Sequence, residues 1–286
     1  MHQAFESGEE GCGMTIAGLC RRAGMSRQNY YARRRERCEE LLDSELMVRL
    51  IKRERSEQPR LGGRKLLHMI RMELAANGVS IGRDRFFKIL SDNGLLVERK
   101  RGQIKTTQSR HSLPVFRNLV AEMEAMEPNQ IWVSDLTYIR TEEGYMFAAV
   151  IMDRHSRKII GHHIGDSLEA EGCLEALGMA LKDLPHDRHP VHHSDRGCQY
   201  CCHAYVERLQ GRGLPISMTE VMHCYENAAA ERVIGILKQE YELDRTFRTK
   251  KQALLAFNQG VYLYNYRRPH LSLNYRIPAE VHAKAA

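Results

Sequence analysis

The apolar positions of this chain change period once. Between residues 15 and 97 they recur at three- and four-residue steps, the signature of amphipathic helices. Thr15 caps a first predicted helix whose apolar side holds Ile16 and Leu19, and Gly24 ends it. Ser26 caps a second, which carries Arg27, Arg33, Arg34, Arg35 and Arg37 with Tyr30 and Tyr31. Helix, tight turn and basic helix together suit a DNA groove. A charged amphipathic helix is expected over Glu39–Glu57, stopped near Pro59. Leu61-Gly62-Gly63-Arg64 reads as a turn, and Lys65–Asn77 as a helix with Leu66, Leu67, Ile70 and Leu74 on one side. Ser80 is the expected cap of a helix over Ile81–Ser91. This makes a second helix-turn-helix candidate, with Arg83, Arg85 and Lys88 on its outer side.

From residue 131 the pattern is strand-like. Ile131–Arg140, Tyr145–Met152 and Lys158–Ile164 read as three meandering strands joined by Glu142-Glu143-Gly144 and by Asp153–Arg157. A helical period over Ser167–Leu184 follows, then short strands at Val191–Ser194 and Leu214–Met218 around a helix at Tyr200–Gln210. Helices are predicted at Asn227–Tyr241 and Thr249–Tyr266. Meander followed by strand–helix alternation predicts the α/β class, a mixed five-stranded sheet flanked by helices, preceded by an all-helical region. The expected divisions are 1–58 and 59–97 for the two helix-turn-helix regions, 98–127 for a basic linker, 128–246 for the α/β core and 247–286 for a helical extension.

Length adds little: 286 residues at about 150 per domain allow roughly two domains with small extras. Charge adds more. Residues 1–118 carry 24 Lys and Arg against 14 Asp and Glu, whereas residues 119–286 carry 19 against 22. The basic excess therefore lies wholly in the N-terminal part, as expected of a polyanion-binding arm. Arg64, Lys65 and the linker residues Arg99, Lys100 and Arg101 join its candidate DNA contacts. The longest charge-free apolar run, Met146–Met152, is far short of the ~20 residues of a membrane span, and residues 1–10 carry three Glu and no apolar core. The expectation is a cytosolic chain with reduced thiols. Cys198-x2-Cys201-Cys202-His203, with His223 and Cys224 as a second pair, is a conceivable zinc set. Its adjacent Cys-Cys-His fits a tetrahedron poorly, so small residues on a helix are the preferred reading.

Three carboxylates stand out. Asp135 interrupts an apolar strand among Trp132, Val133, Leu136 and Ile139, which is costly unless the acid is paired or metal-bound. Asp195 ends the fourth strand, where sites are built in open α/β sheets. Glu231 opens the helix at 227 and shares an edge with Lys238, with Gly235 between them. Gathered carboxylates repel, by about 4 kcal/mol for two at ~4 Å and an effective dielectric of 20. A divalent cation relieves that repulsion, and two such ions can serve an in-line phosphoryl displacement. Asp153, within Asp-Arg-His-Ser-Arg, reads as a turn cap, and His162, His163, His192 and His193 as surface or backbone-bonded residues.

The motifs Trp-Val-Ser-Asp135-Leu-Thr-Tyr, His-Ser-Asp195-Arg-Gly-Cys-Gln-Tyr and Tyr-Glu-Asn-Ala-Ala-Ala-Glu231, with 35 residues between Asp195 and Glu231, resemble those of bacterial insertion-sequence transposases with a retroviral-integrase-type core. Leu61–Leu66, Tyr264–His270 and Ser26–Tyr31 resemble the family's other motifs. The resemblance implies a ribonuclease H-like core and a pair of Mg²⁺ or Mn²⁺ ions held by Asp135, Asp195 and Glu231. It also implies cutting of the element's ends by water and joining by the freed 3′-hydroxyl. It places Lys238 on DNA near the cut, with His193, Arg196 and Gln199 in supporting positions. It implies a homo-multimer bridging two double-stranded DNA ends, and a fusion to or partnership with an upstream helix-turn-helix protein. One stretch departs from the family: Met218–Asn227 has no Gly, and Glu226 stands where the family has Asp. A DNA-binding protein of the same fold that has lost catalysis is therefore the alternative. An RNA–DNA hybrid nuclease and a zinc-dependent regulator are more distant ones.

Overall fold

The computed structural model describes residues 15–97, 113–220 and 227–283. Arg99, Lys100, Arg101, His223, Cys224 and Glu226 lie outside the described residues.

The N-terminal part is helical. α1 (Ile16–Arg22) is capped by Thr15, whose hydroxyl accepts from Gly18 N at 3.3 Å, and Gly24 turns the chain with φ +65°. Ser26 caps α2 by accepting from Asn29 N at 3.1 Å. α2 runs without a break from Arg27 to Glu57, which corrects the expectation of two helices divided near residue 38. No Gly or Pro interrupts this stretch, so nothing ends the helix before Pro59. α3 spans Gly63–Ala76 and α4 spans Arg83–Asp92. Gly82, not Ser80, stands at the α4 N-cap and offers no side-chain bond. Met47, Leu50 and Ile51 of α2 bury against Leu61, Leu66 and Ile70 around α3 and against Phe86 and Leu90 of α4. The division expected at residue 58 therefore falls inside one apolar cluster.

Beyond residue 113 a sheet forms from β1 (Ile131–Thr141), β2 (Gly144–Asp153), β3 (Ile159–Gly165), β4 (Val191–Ser194) and β5 (Ile216–Met218), in the order β3-β2-β1-β4-β5. β1, β2 and β3 are antiparallel, while β4 and β5 run parallel to β1. α5 (Ala170–Lys182), α6 (Cys198–Cys201) and α7 (His203–Gln210) cover one face. There Trp132 and Ile151 bury against Leu177, Ala180 and Tyr205. α8 (Ala228–Glu240) and α9 (Lys250–Tyr266) cover the other, packing Val233, Leu237 and Phe257 on Ile131, Val133 and Ile139. Alternate β1 side chains thus feed opposite cores, as strand geometry requires. α5 lies so close to β3 that a Cβ at Gly161 would come 2.1 Å from the Ala176 carbonyl oxygen.

A 3₁₀ turn at Leu271–Leu273 and α10 (Pro278–Ala283) end the described chain. Here the Tyr264–His270 motif has a visible task. The Asn265 amide accepts from Ile159 N and donates to Ile159 O, both at 2.8 Å, pairing the outer edge of β3 as a neighbouring strand would. Asp153 caps its turn as read from sequence. Its carboxylate is buried and accepts from Ser156 N and Oγ at 2.7 Å and from Asn129 N at 2.7 Å.

Candidate active site

Strand register brings the first two acids together. β1 and β4 pair in parallel as far as Val133↔His193. Asp135, inside β1, and Asp195, just past the end of β4, each lie two residues beyond that pair, so they stand abreast on neighbouring strands, where ladders run ~4.8 Å apart. Beyond the pair the two strands are no longer bonded, and the opening between them is the crevice in which open sheets build sites. Asp135 Oδ1 accepts from Leu136 N at 2.8 Å. Asp195 Oδ1 accepts from Gly197 N at 2.9 Å, which closes a small turn around its own carboxylate.

Glu231 arrives from α8. The Asn227 amide donates to Ser134 O at 3.0 Å and tethers the start of that helix to the residue before Asp135. Asn227 and Ser134 are both buried. One turn on, Glu231 stands exposed on the side of α8 that faces the two aspartates.

The electrostatics register this convergence. Burial, then the neighbouring charges of Asp195 and Glu231, push the Asp135 carboxyl up to about 7, although Leu136 N and the Lys238 ammonium oppose the shift. Burial and Asp195 likewise raise the Glu231 carboxyl above the usual carboxylate range. Burial lowers the Lys238 ammonium against the pull of Asp135. Its Nζ stands 4.5 Å from the centre of the Tyr138 ring.

A buried polar network underlies the crevice. His192 Nε2 lies 2.7 Å from Ser134 Oγ and 2.9 Å from Tyr205 Oη. His193 Nδ1 lies 2.8 Å from Ser217 Oγ. Both rings are fully buried and bonded to side chains, which corrects their reading as surface or backbone-bonded residues. Burial holds His192 down at about 3, so it stays neutral. Strand alternation could not reveal this, because a short parallel strand buried on both faces has no polar side. Among the other supporting positions, Arg196 Nε donates to Thr219 O at 2.6 Å and Gln199 Nε2 to Leu168 O at 2.8 Å. These bonds fix the loop after Asp195.

The cysteines have separate partners. Cys201 is buried with its Sγ 3.7 Å from Met218 Sδ, and Cys202 Sγ donates to Gln199 O at 3.2 Å. Among the described residues no three His, Cys, Asp or Glu side chains are already arranged to hold a metal ion.

The candidate DNA contacts separate into two groups. Arg27, Arg33, Arg34, Arg64, Arg83 and Arg85 are exposed; Arg83 bonds Asp84 at 2.7 Å and Arg85 lies 3.2 Å from Glu40. Lys65 is different. It is buried and its ammonium lies 2.5 Å from Glu240, so it faces the core and not solvent. Expecting it on DNA followed from its place beside Arg64, but successive helical positions point about 100° apart.

Known proteins place this fold. An integrase core domain model matches residues 125–224, and a second of the same description matches residues 212–278. The insertion element IS600 31 kDa protein of Shigella sonnei is 34% identical over 93% of this chain and 98% of its own. The transposase for insertion sequence element IS629, also of Shigella sonnei, is 31% identical over 73% of this chain and 70% of its own. This chain belongs to the insertion-sequence transposases. Transposase InsF for insertion sequence IS3A of Escherichia coli K12 is 36% identical over 59% of this transposase and 59% of its own length. As a transposase with an integrase core it acts on DNA as a polynucleotidyl transferase, and its five-stranded mixed sheet lies within the residues that the integrase core model matches. Among its described residues no helix is long and apolar enough to cross a membrane.

Proposed function

We propose that this transposase cuts and joins DNA strands at Asp135, Asp195 and Glu231, with two Mg²⁺ or Mn²⁺ ions held between them. The observation that carries this reading is the shared register of Asp135 and Asp195, both two residues past the Val133–His193 pair. The donor set fits the ions. All three ligands are hard carboxylate oxygens, while His192 and His193 are engaged in the interior and the nearby thiols are turned to sulfur and carbonyl partners. The raised Asp135 and Glu231 carboxyls fit it too, because like charges gathered without a cation hold protons. Bound there, the cations would lower the pKa of a water or 3′-hydroxyl and offset charge on the transferred phosphoryl group.

The chain's own residues do the rest. Asp135 would serve the cations as an anionic ligand, its proton released to solvent. Asn227 fixes where α8 starts, and so where Glu231 can reach. Lys238 contributes a positive charge beside Asp135 for a DNA phosphate. The exposed arginines of α2, α3 and α4 supply sequence-tolerant backbone contacts to the duplex, and a multimer of the chain brings two DNA ends to one target. An upstream helix-turn-helix protein, fused or separate, completes end recognition.

Mn²⁺ calorimetry on the intact chain, beside Asp135→Asn and Glu231→Gln, tests the site. The expected result is binding to the unmodified chain that is lost in the first variant and weakened in the second, with strand joining abolished in both. Joining that survives Asp135→Asn would sink this assignment. Duplex binding without Mn²⁺-dependent joining by the unmodified chain would instead establish the decayed DNA-binding protein.

A further inference from the structure

The half-exposed aromatic pair on the β1–β2 hairpin has no task in the scheme above. Tyr138 and Tyr145 meet edge to face, with ring centres 5.5 Å apart. Cross-strand aromatic pairs ordinarily stabilise a hairpin. Yet Tyr145 leaves 55% of its surface in water, and its direct cross-strand partner is Arg140, not Tyr138. Lys238 lies over the other side of the pair, against Tyr138, and its charge is felt by both Asp135 and Arg140. Lys238 therefore touches this aromatic surface and carries a charge felt at Asp135, although Tyr138 and Asp135 lie on opposite faces of β1.

The hairpin is also held rigid. Glu142 N donates to Phe247 O, and Phe247 N to Arg140 O, each at 2.9 Å. Lys250 N donates to the Glu143 carboxylate at 2.7 Å. Arg245 stacks on Phe247, 4.7 Å from its ring centre, and adds positive charge on that side. A fixed, half-exposed aromatic surface with cations on its rim matches what binds unstacked nucleotides: a ring for the base and positive charge for the phosphate.

We propose that Tyr145, backed by Tyr138 and flanked by Lys238 and Arg140, is a stacking platform for an unpaired base at a DNA end. This rests on the reading of Asp135, Asp195 and Glu231 as the reacting site. A paired duplex end keeps its terminal bases stacked on one another. An end whose last bases are opened lets the scissile phosphate enter the crevice, and the tyrosine face replaces part of the lost base stacking. Stacking tolerates any base, so the platform favours opened ends whatever their sequence.

The test compares binding of the full chain to a blunt duplex and to the same duplex with three unpaired bases at one end. Tyr145→Ala should weaken binding to the frayed duplex by about tenfold, the scale of a lost base stack, and leave the blunt duplex unchanged. Tyr145→Phe should retain the preference. Equal loss on both duplexes, or no loss on either, overturns the platform. Tyr145→Trp gives a second readout that needs no stable alanine variant, because the chain's single Trp, Trp132, is buried in the core. Its emission should be quenched by the frayed end and not by the blunt one; equal response to both overturns the proposal. Asp135→Asn separates this from the site itself: it should keep the frayed-end preference while losing strand joining. Joining that persists there removes the reacting-site reading, and a lost preference in Tyr145→Ala would still stand as evidence for base stacking.

Discussion

At Asp135 the strand order forces a carboxylate into partly dry surroundings, beside two others, before any cation arrives. Burial and like charge raise its carboxyl from the ordinary 3.8 to about 7. Between those two values the folded chain binds the Asp135 proton more tightly than the unfolded chain does. Its contribution to stability therefore falls as pH rises from about 4 through 7. Asp135→Asn removes the ionisable group and keeps the shape. In metal-free buffer the difference in melting temperature, variant minus parent, should rise steadily over that window and level off above it. A difference independent of pH would mean that Asp135 is not held protonated. The same coupling predicts that Mn²⁺ binding at pH 6 releases protons, measurable as a buffer-dependent calorimetric enthalpy.

Two glycines at the level of helices and strands carry opposite expectations. Gly161 sits where α5 crosses β3, and a methyl group there would strike the Ala176 carbonyl. Gly161→Ala should lower stability by about 1–3 kcal/mol or more, because a backbone cannot step aside as a flexible side chain would. Gly235 lies in α8 between Glu231 and Lys238, and a Cβ there meets nothing within 4 Å. Gly235→Ala should raise stability by ~1 kcal/mol through helix propensity. If the bare backbone admits DNA, it should also weaken duplex binding. Urea unfolding of the two variants gives both signs; a destabilised Gly235→Ala chain would show that the space is not open. What could be read from sequence follows the same local logic. Thr15 and Ser26 bond within their own first turn, so residue type identified those caps, whereas the helix expected to start at Ser80 begins two residues later at Gly82, which has no side chain to bond. The β1–β2 meander was legible because each strand alternates and a turn sits between. The abreast placement of Asp135 and Asp195 was not. It depends on which residues of two strands some 60 positions apart share a rung, and no short-range pattern encodes that. Tyr145 reads as one more β-former until its exposure is seen.

Across the whole molecule, one buried cluster of charge joins the helical part to the core. Glu240, at the last turn of the helix that carries Glu231, receives Lys65 of α3 at 2.5 Å. It also receives Arg268 of the C-terminal motif at 2.8 Å and 3.0 Å. Around it, Arg60 N reaches Glu240 O at 3.3 Å, Tyr241 Oη reaches Gln58 at 3.3 Å, and Arg267 lies 3.5 Å from Glu54. Burial pushes the Lys65 ammonium down to about 8, with Arg268 adding to the effect. Glu240 stays below the usual carboxylate range because the bonds from Arg268 and Lys65 outweigh its burial. Glu240 is the shared anion, so its loss leaves two buried cations facing each other. Glu240→Gln should cost about 3–5 kcal/mol. Lys65→Met should cost less, since Arg268 still neutralises Glu240 and the replacement is apolar. The consequence reaches function through geometry. With the cluster intact, α3 and α4 are fixed relative to α8, so DNA lying on the exposed arginines has a set approach to Glu231. In Glu240→Gln the helical part should unfold in urea at a lower midpoint than the sheet, giving two transitions, helical signal first. A single transition at the parent midpoint would show that the apolar packing of α2, α3 and α4 alone holds the two parts together.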